Sequence, residues 1–164
     1  MKESGCTSVF LGIESASQRI LHLLRKGTTP DMIAGAVRNI RESGMRVIGS
    51  VMIGFMEETE SEIRETLDLL RDLRLDHVSC SFATPLPGTD LYEEHATQGL
   101  EVHDMRSYDF SVPSLCPSSE HKRLHEWQRL ACSLTWENLS TEITNSELEP
   151  TGSGSDRRNK CAKT

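Results

Sequence analysis

A chain of 164 residues with 36% hydrophobic and 26% charged residues is long enough to build one domain with its own core. A formal charge of -7 lacks the basic surface that nucleic acid asks for, and no apolar run reaches the ~18 residues of a membrane span. The opening Met-Lys-Glu-Ser-Gly has no signal-type apolar segment and the mean hydropathy is -0.43, so a cytoplasmic protein is expected.

Met1 to Gly5 reads as a last helical turn with Gly5 as its cap, which hints that the chain starts inside a domain. Val9-Phe10-Leu11 is a short run of strand formers ending at Gly12, after which Glu14, Ser15 and Ser17 present polar groups. A helix from about Ser17 to Arg25 follows, closed by Lys26-Gly27. Glu14 therefore stands where a strand hands over to a helix. It fits either a ligand-facing carboxylate or a complement to the helix dipole.

Thr29 as N-cap, Pro30 at the first helical position and Asp31 in the first turn start a second helix. Its apolar face is Met32, Ile33, Ala36, Val37 and Ile40, and Gly44 stops it. Arg46 to Ile53 is the clearest strand, apolar on both faces for part of its length, as in a covered parallel sheet. A loop from Gly54 to Glu58 leads to Thr59 and Glu62, a capping box for a third helix carrying Ile63, Leu67, Leu69, Leu70 and Leu73. His77 to Ala83 alternates as a third strand, and a Pro-rich stretch from Thr84 to Thr89 precedes a short helix near Asp90.

The order β-α-α-β-α-β predicts an α/β fold with about three parallel strands joined by crossover helices. Residues 1–98 form this unit, 99–140 a helical extension with a helix from Ser119 to Leu139, and 141–164 a disordered tail. An incomplete sheet leaves the edge at Val9 to Leu11 unpaired and prone to self-association.

The five cysteines, at 6, 80, 116, 132 and 161, contain no C-x-x-C and are odd in number, so neither a zinc site nor a disulfide framework is expected. His121 and His125 share a predicted helix face without a third ligand in reach, and a solvated face is the expectation. There is no G-x-G-x-x-G and no Walker loop.

Three stretches in order, Gly-Ile-Glu-Ser-Ala-Ser-Gln-Arg-Ile-Leu with Arg25-Lys26-Gly27, then Met-Ile-Gly-Phe-Met-Glu-Glu-Thr, then Ala-Thr-Pro-Leu-Pro-Gly-Thr-Asp-Leu-Tyr, resemble the radical SAM superfamily. The likeness covers roughly residues 1 to 94 and is greatest for the branch that often carries a cobalamin-binding domain, with the methylthiotransferase branch also similar. It implies that the chain is the carboxyl-terminal half of a partial (β/α)6 TIM-like barrel. It further implies S-adenosylmethionine as ligand, with contacts from Glu14 and Ser15, Lys26 toward its carboxylate, Ser50 toward its ribose, and the backbone at Thr84 toward its adenine.

The resemblance also implies a 4Fe-4S cluster, whose C-x-x-x-C-x-x-C ligands are not in this chain, and cobalamin in a parent protein of that branch. A non-catalytic binding module that keeps the βα scaffold is the alternative. The substrate stays unknown. Met56 and Glu57 stand where the family has proline and glycine, and Ala16 where glycine is common.

Overall fold

The computed structural model describes residues 1–56, 58–96 and 110–135, with the backbone alone at 94–96. The predicted segment 99–109, the helix beyond 135 and the tail lie outside the described residues. A 3-10 turn over Lys2–Ser4 ends in Gly5, which takes the left-handed conformation that lets a helix end stop. Then come strand β1 (Ser8–Glu14), helix α1 (Gln18–Leu23), helix α2 (Pro30–Glu42), strand β2 (Arg46–Ile53), helix α3 (Glu60–Leu73), strand β3 (His77–Phe82), helix α4 (Asp90–Ala96) and helix α5 (His121–Ser133).

The three strands form one parallel sheet in the order β1-β2-β3. This is the α/β architecture of a barrel fragment. β1 is longer than its apolar run, because its last residues still pair with β2 across a bulge between Gly12 and Glu14. α1 is shorter than its apolar pattern: Leu24 caps it and Arg25 turns to positive φ. Thr29 caps α2 by accepting from the Met32 amide, with Pro30 in the first turn, and the Thr59–Glu62 box opens α3.

Alternation gives the sheet two unlike faces. Ile13, Val47, Gly49, Val51, Ile53, Val78, Cys80 and Phe82 point to one side and are buried. There α2 packs on β2, α5 on β3, and α3 touches both helices. On the other side Phe10, Gly12, Ile48, Ser50, Met52, Ser79 and Ser81 stay half-buried or exposed. Among the described residues this second face is the more open one, and it mixes the small or polar Gly12, Ser50, Ser79 and Ser81 with the apolar Phe10, Ile48 and Met52, the last packed against the Ile20–Phe55 cluster.

The two sheet edges differ as well. At β3 the Gln128 side chain donates to the Cys80 carbonyl (3.0 Å), and the Phe82 amide donates to the Phe110 carbonyl (3.0 Å). These bonds occupy edge groups that would otherwise attract a further strand. β1 is the terminal strand on the other side, with Phe10 65% exposed.

Candidate functional site

Parallel strands end at the same rim, so Glu14, Gly54 and Thr84 come to one side of the fold. Register places Gly12, Ser50 and Ser79 in one row across the open face. Ser50 is thus one strand spacing, about 4.8 Å, from Gly12. Beyond the bulge Glu14 has φ 65, a left-handed conformation that costs a non-glycine residue about 1 kcal/mol. Its carboxylate folds back over Gly12 and accepts a 2.7 Å hydrogen bond from Lys26 Nζ. Lys26 is positioned from α1, where its amide donates to the Leu21 carbonyl (3.0 Å). Glu14 and Lys26, singled out separately in the sequence, meet as one ion pair on the open face.

Ser15 lies elsewhere. It is fully buried, its hydroxyl 3.2 Å from that of Thr66 and accepting from the Ser17 amide at 3.1 Å. Thr66 also takes the Ala16 amide (3.0 Å), and the Ser17 hydroxyl donates to Glu62 (2.7 Å). The turn after β1 is thereby tied to α3 by side chains some 50 positions apart. Thr84 is buried too, its hydroxyl donating to the Phe82 carbonyl (3.1 Å), which leaves its backbone at the strand end.

Two carboxylates behind this rim behave in opposite ways. Arg19 donates to both oxygens of Glu62, Thr59 and Ser17 add further bonds, and the Glu62 carboxyl is held down to about 2. Burial pushes the Glu58 carboxyl up to about 7, although its Oε2 accepts from the amides of Gly54 (2.6 Å) and Phe55 (3.3 Å). Its Oε1 is buried without a partner among the described residues. Sequence reasoning passed over Glu58. The available signal was a carboxylate four residues after a strand-ending glycine, within reach of the amides at that end. Met56 forms a turn with no proline in it, and Glu57 lies outside the described residues.

The expectation of a solvated His121 and His125 is corrected by their packing. His121 Nε2 lies 3.0 Å from the Cys116 carbonyl, and His125 stacks edge-on against Phe82 with ring centres 4.9 Å apart. Among the described residues no three His, Cys, Asp or Glu side chains gather to hold a metal ion, and Cys6, Cys80, Cys116 and Cys132 are all free thiols. No described helix is long and apolar enough to cross a membrane.

A family model described as the Radical SAM superfamily matches residues 1–70. The chain is 44% identical over 93 residues to an uncharacterized methyltransferase of Pyrococcus horikoshii, covering 57% of this chain and 20% of that protein. It is 29% identical over 118 residues to an anaerobic magnesium-protoporphyrin IX monomethyl ester cyclase of Rubrivivax gelatinosus, covering 72% of this chain and 21% of that protein. A tRNA-2-methylthio-N(6)-dimethylallyladenosine synthase of Aquifex aeolicus is 31% identical over 90 residues, or 54% of this chain and 20% of the synthase. The chain spans about a fifth of the length of these curated relatives.

Proposed function

We propose, from the premise that residues 1–70 belong to the radical SAM superfamily, that the open face of the sheet holds S-adenosylmethionine within a larger enzyme. The observation that carries this reading is the Glu14–Lys26 ion pair at the strand ends, beside Ser50 in the neighbouring strand. The amino acid end of S-adenosylmethionine is a zwitterion. A carboxylate and an ammonium held side by side match its two charges, with charge-assisted hydrogen bonds of the stronger kind. Ser50 offers a hydroxyl to the ribose, and the backbone after β3, at Thr84, offers donors and acceptors to the adenine edge. Ser15 shapes the turn that carries Glu14 and makes no direct contact.

When bound, S-adenosylmethionine supplies either a 5′-deoxyadenosyl radical or a methyl group. The relatives named for methyl transfer and for a methylthio product favour a group-transfer enzyme as the parent. The residues of this chain do not fit the 4Fe-4S cluster of the family. The sequence has no C-x-x-x-C-x-x-C, and the described thiols do not cluster. The role assigned to this chain is accordingly to bind and orient the methionyl and ribose ends of the ligand.

Equilibrium dialysis of labelled S-adenosylmethionine against the chain tests the reading. Saturable binding that weakens about tenfold or more in Glu14→Gln and Lys26→Met is expected. Equal retention by wild type and both variants would refute it.

A further inference from the structure

We infer that Gly12 is a positioning residue, whose lack of a side chain seats the Glu14–Lys26 pair against the backbone of β1. The inference rests on the reading of the open face as the S-adenosylmethionine site. A methyl group at Gly12 would lie 2.6 Å from Glu14 Oε1, 3.0 Å from Lys26 Nζ and 3.6 Å from Glu14 Cδ. The first two separations are shorter than ordinary contact. The pair would have to lift off the strand by roughly 0.6–1 Å.

Gly12 is not needed for its own conformation, since it is absent from the residues with positive φ. What it provides is space. The atoms that fill this space are the tips of two long side chains, so an alanine displaces the pair and leaves the fold. Gly49 is the contrast: there a methyl group meets Leu75 and lies 2.9 Å from Ile13 Cδ1, both core side chains.

The bulge and the left-handed backbone of Glu14 aim its carboxylate over Gly12, and Lys26 is anchored by its amide on Leu21. Displacement away from the strand moves the pair toward water, where two charges attract each other less and are harder to hold at a fixed spacing. Gly12 thus fixes how deep the pair sits relative to Ser50, one strand away.

The test is Gly12→Ala in the full chain, alone and combined with Lys26→Met, with two independent readouts. The first is titration calorimetry with S-adenosylmethionine. Gly12→Ala is expected to bind about tenfold more weakly than wild type, and to add a smaller loss when Lys26 is already Met, because only the Glu14 carboxylate is then left to displace. A purely structural role would lower affinity equally in both backgrounds, and that result overturns the inference. The second readout is the side-chain 15N resonance of Lys26, whose dependence on Glu14 (measured with Glu14→Gln) should shrink in Gly12→Ala without any ligand present. An unchanged Lys26 signal also overturns it. If wild type fails to bind S-adenosylmethionine, the functional reading falls, and the Lys26 signal alone still decides the role of Gly12.

Discussion

Arg19 and Glu62 meet in two parallel hydrogen bonds of 2.8 Å each, Nε to Oε1 and a terminal nitrogen to Oε2, across 43 positions of sequence. Glu62 is at once the third residue of the α3 capping box and the anchor of the turn after β1, through Ser17. One carboxylate therefore holds the helix start and the loop that delivers Glu14. Arg19 is half exposed, so part of its attraction is screened by water.

Glu62→Gln should cost about 2 kcal/mol, because the bidentate charge and the cap are weakened together. The folded state holds the carboxyl at about 2, below the usual 4.5. Its contribution is thus complete above pH 5 and fades as pH falls toward 2. Urea melts between pH 2 and 6 check this. Wild type should lose stability on acidification, and Glu62→Gln should lose less.

Glu58 predicts the opposite slope. Its carboxyl is raised from 4.5 to about 7 by burial, so between these values the folded chain binds more protons than the unfolded one. Stability then declines as pH rises from 4.5 through 7. Glu58→Gln keeps an oxygen for the Gly54 and Phe55 amides and carries no charge to bury. It should flatten this decline and be more stable than wild type at pH 8 by on the order of 1 kcal/mol. The same melts extended to pH 8.5 measure it.

Gly49 and Gly35 separate space from propensity. Gly49→Ala drives a methyl group into Leu75 and Ile13 and should destabilise by about 1–3 kcal/mol. Gly35 sits within α2 with nothing near its missing side chain, so Gly35→Ala should stabilise by about 1 kcal/mol. Thermal melts of the two variants should move in opposite directions.

The edge of β1, unpaired among the described residues, carries an exposed Phe10 and no charge from Ser8 to Ile13, whereas Gln128 and Phe110 occupy the edge of β3. Self-association of the isolated chain should run through β1. Phe10→Lys should lower the oligomer fraction in sedimentation velocity, since edge lysines oppose strand pairing. Gln128→Leu should instead open the β3 edge and increase association.

The features readable from the sequence were local ones. Thr29-Pro30 and the Thr59–Glu62 box announced two helix starts within a few residues, and Gly5 announced a stop. The strands showed through their alternation, most clearly at Val78, Cys80 and Phe82. Pairing Glu14 with Lys26 was not readable, because it depends on a bulge and on φ 65 at a residue whose type does not favour it. Nor was the burial of Ser15, which follows from Thr66, 51 positions away. Glu58 gave no periodic signal, since its burial comes from how the loop after β2 folds back on its own amides. The edge role of α5 rests on Gln128, a polar residue that a search for apolar faces passes over.

The proposed S-adenosylmethionine site on the open face is built from Gly12, Glu14, Lys26 and Ser50. A two-dimensional 1H–15N titration of the full chain with that ligand tests it most directly. Saturable shifts are expected at the amides of Gly12, Glu14, Lys26 and Ser50, none at Ile33, Val37 or Leu67 on the covered side, with loss of the shifts in Glu14→Gln. Shifts confined to the helical side, or none at Gly12 and Glu14 at saturating ligand, would contradict it.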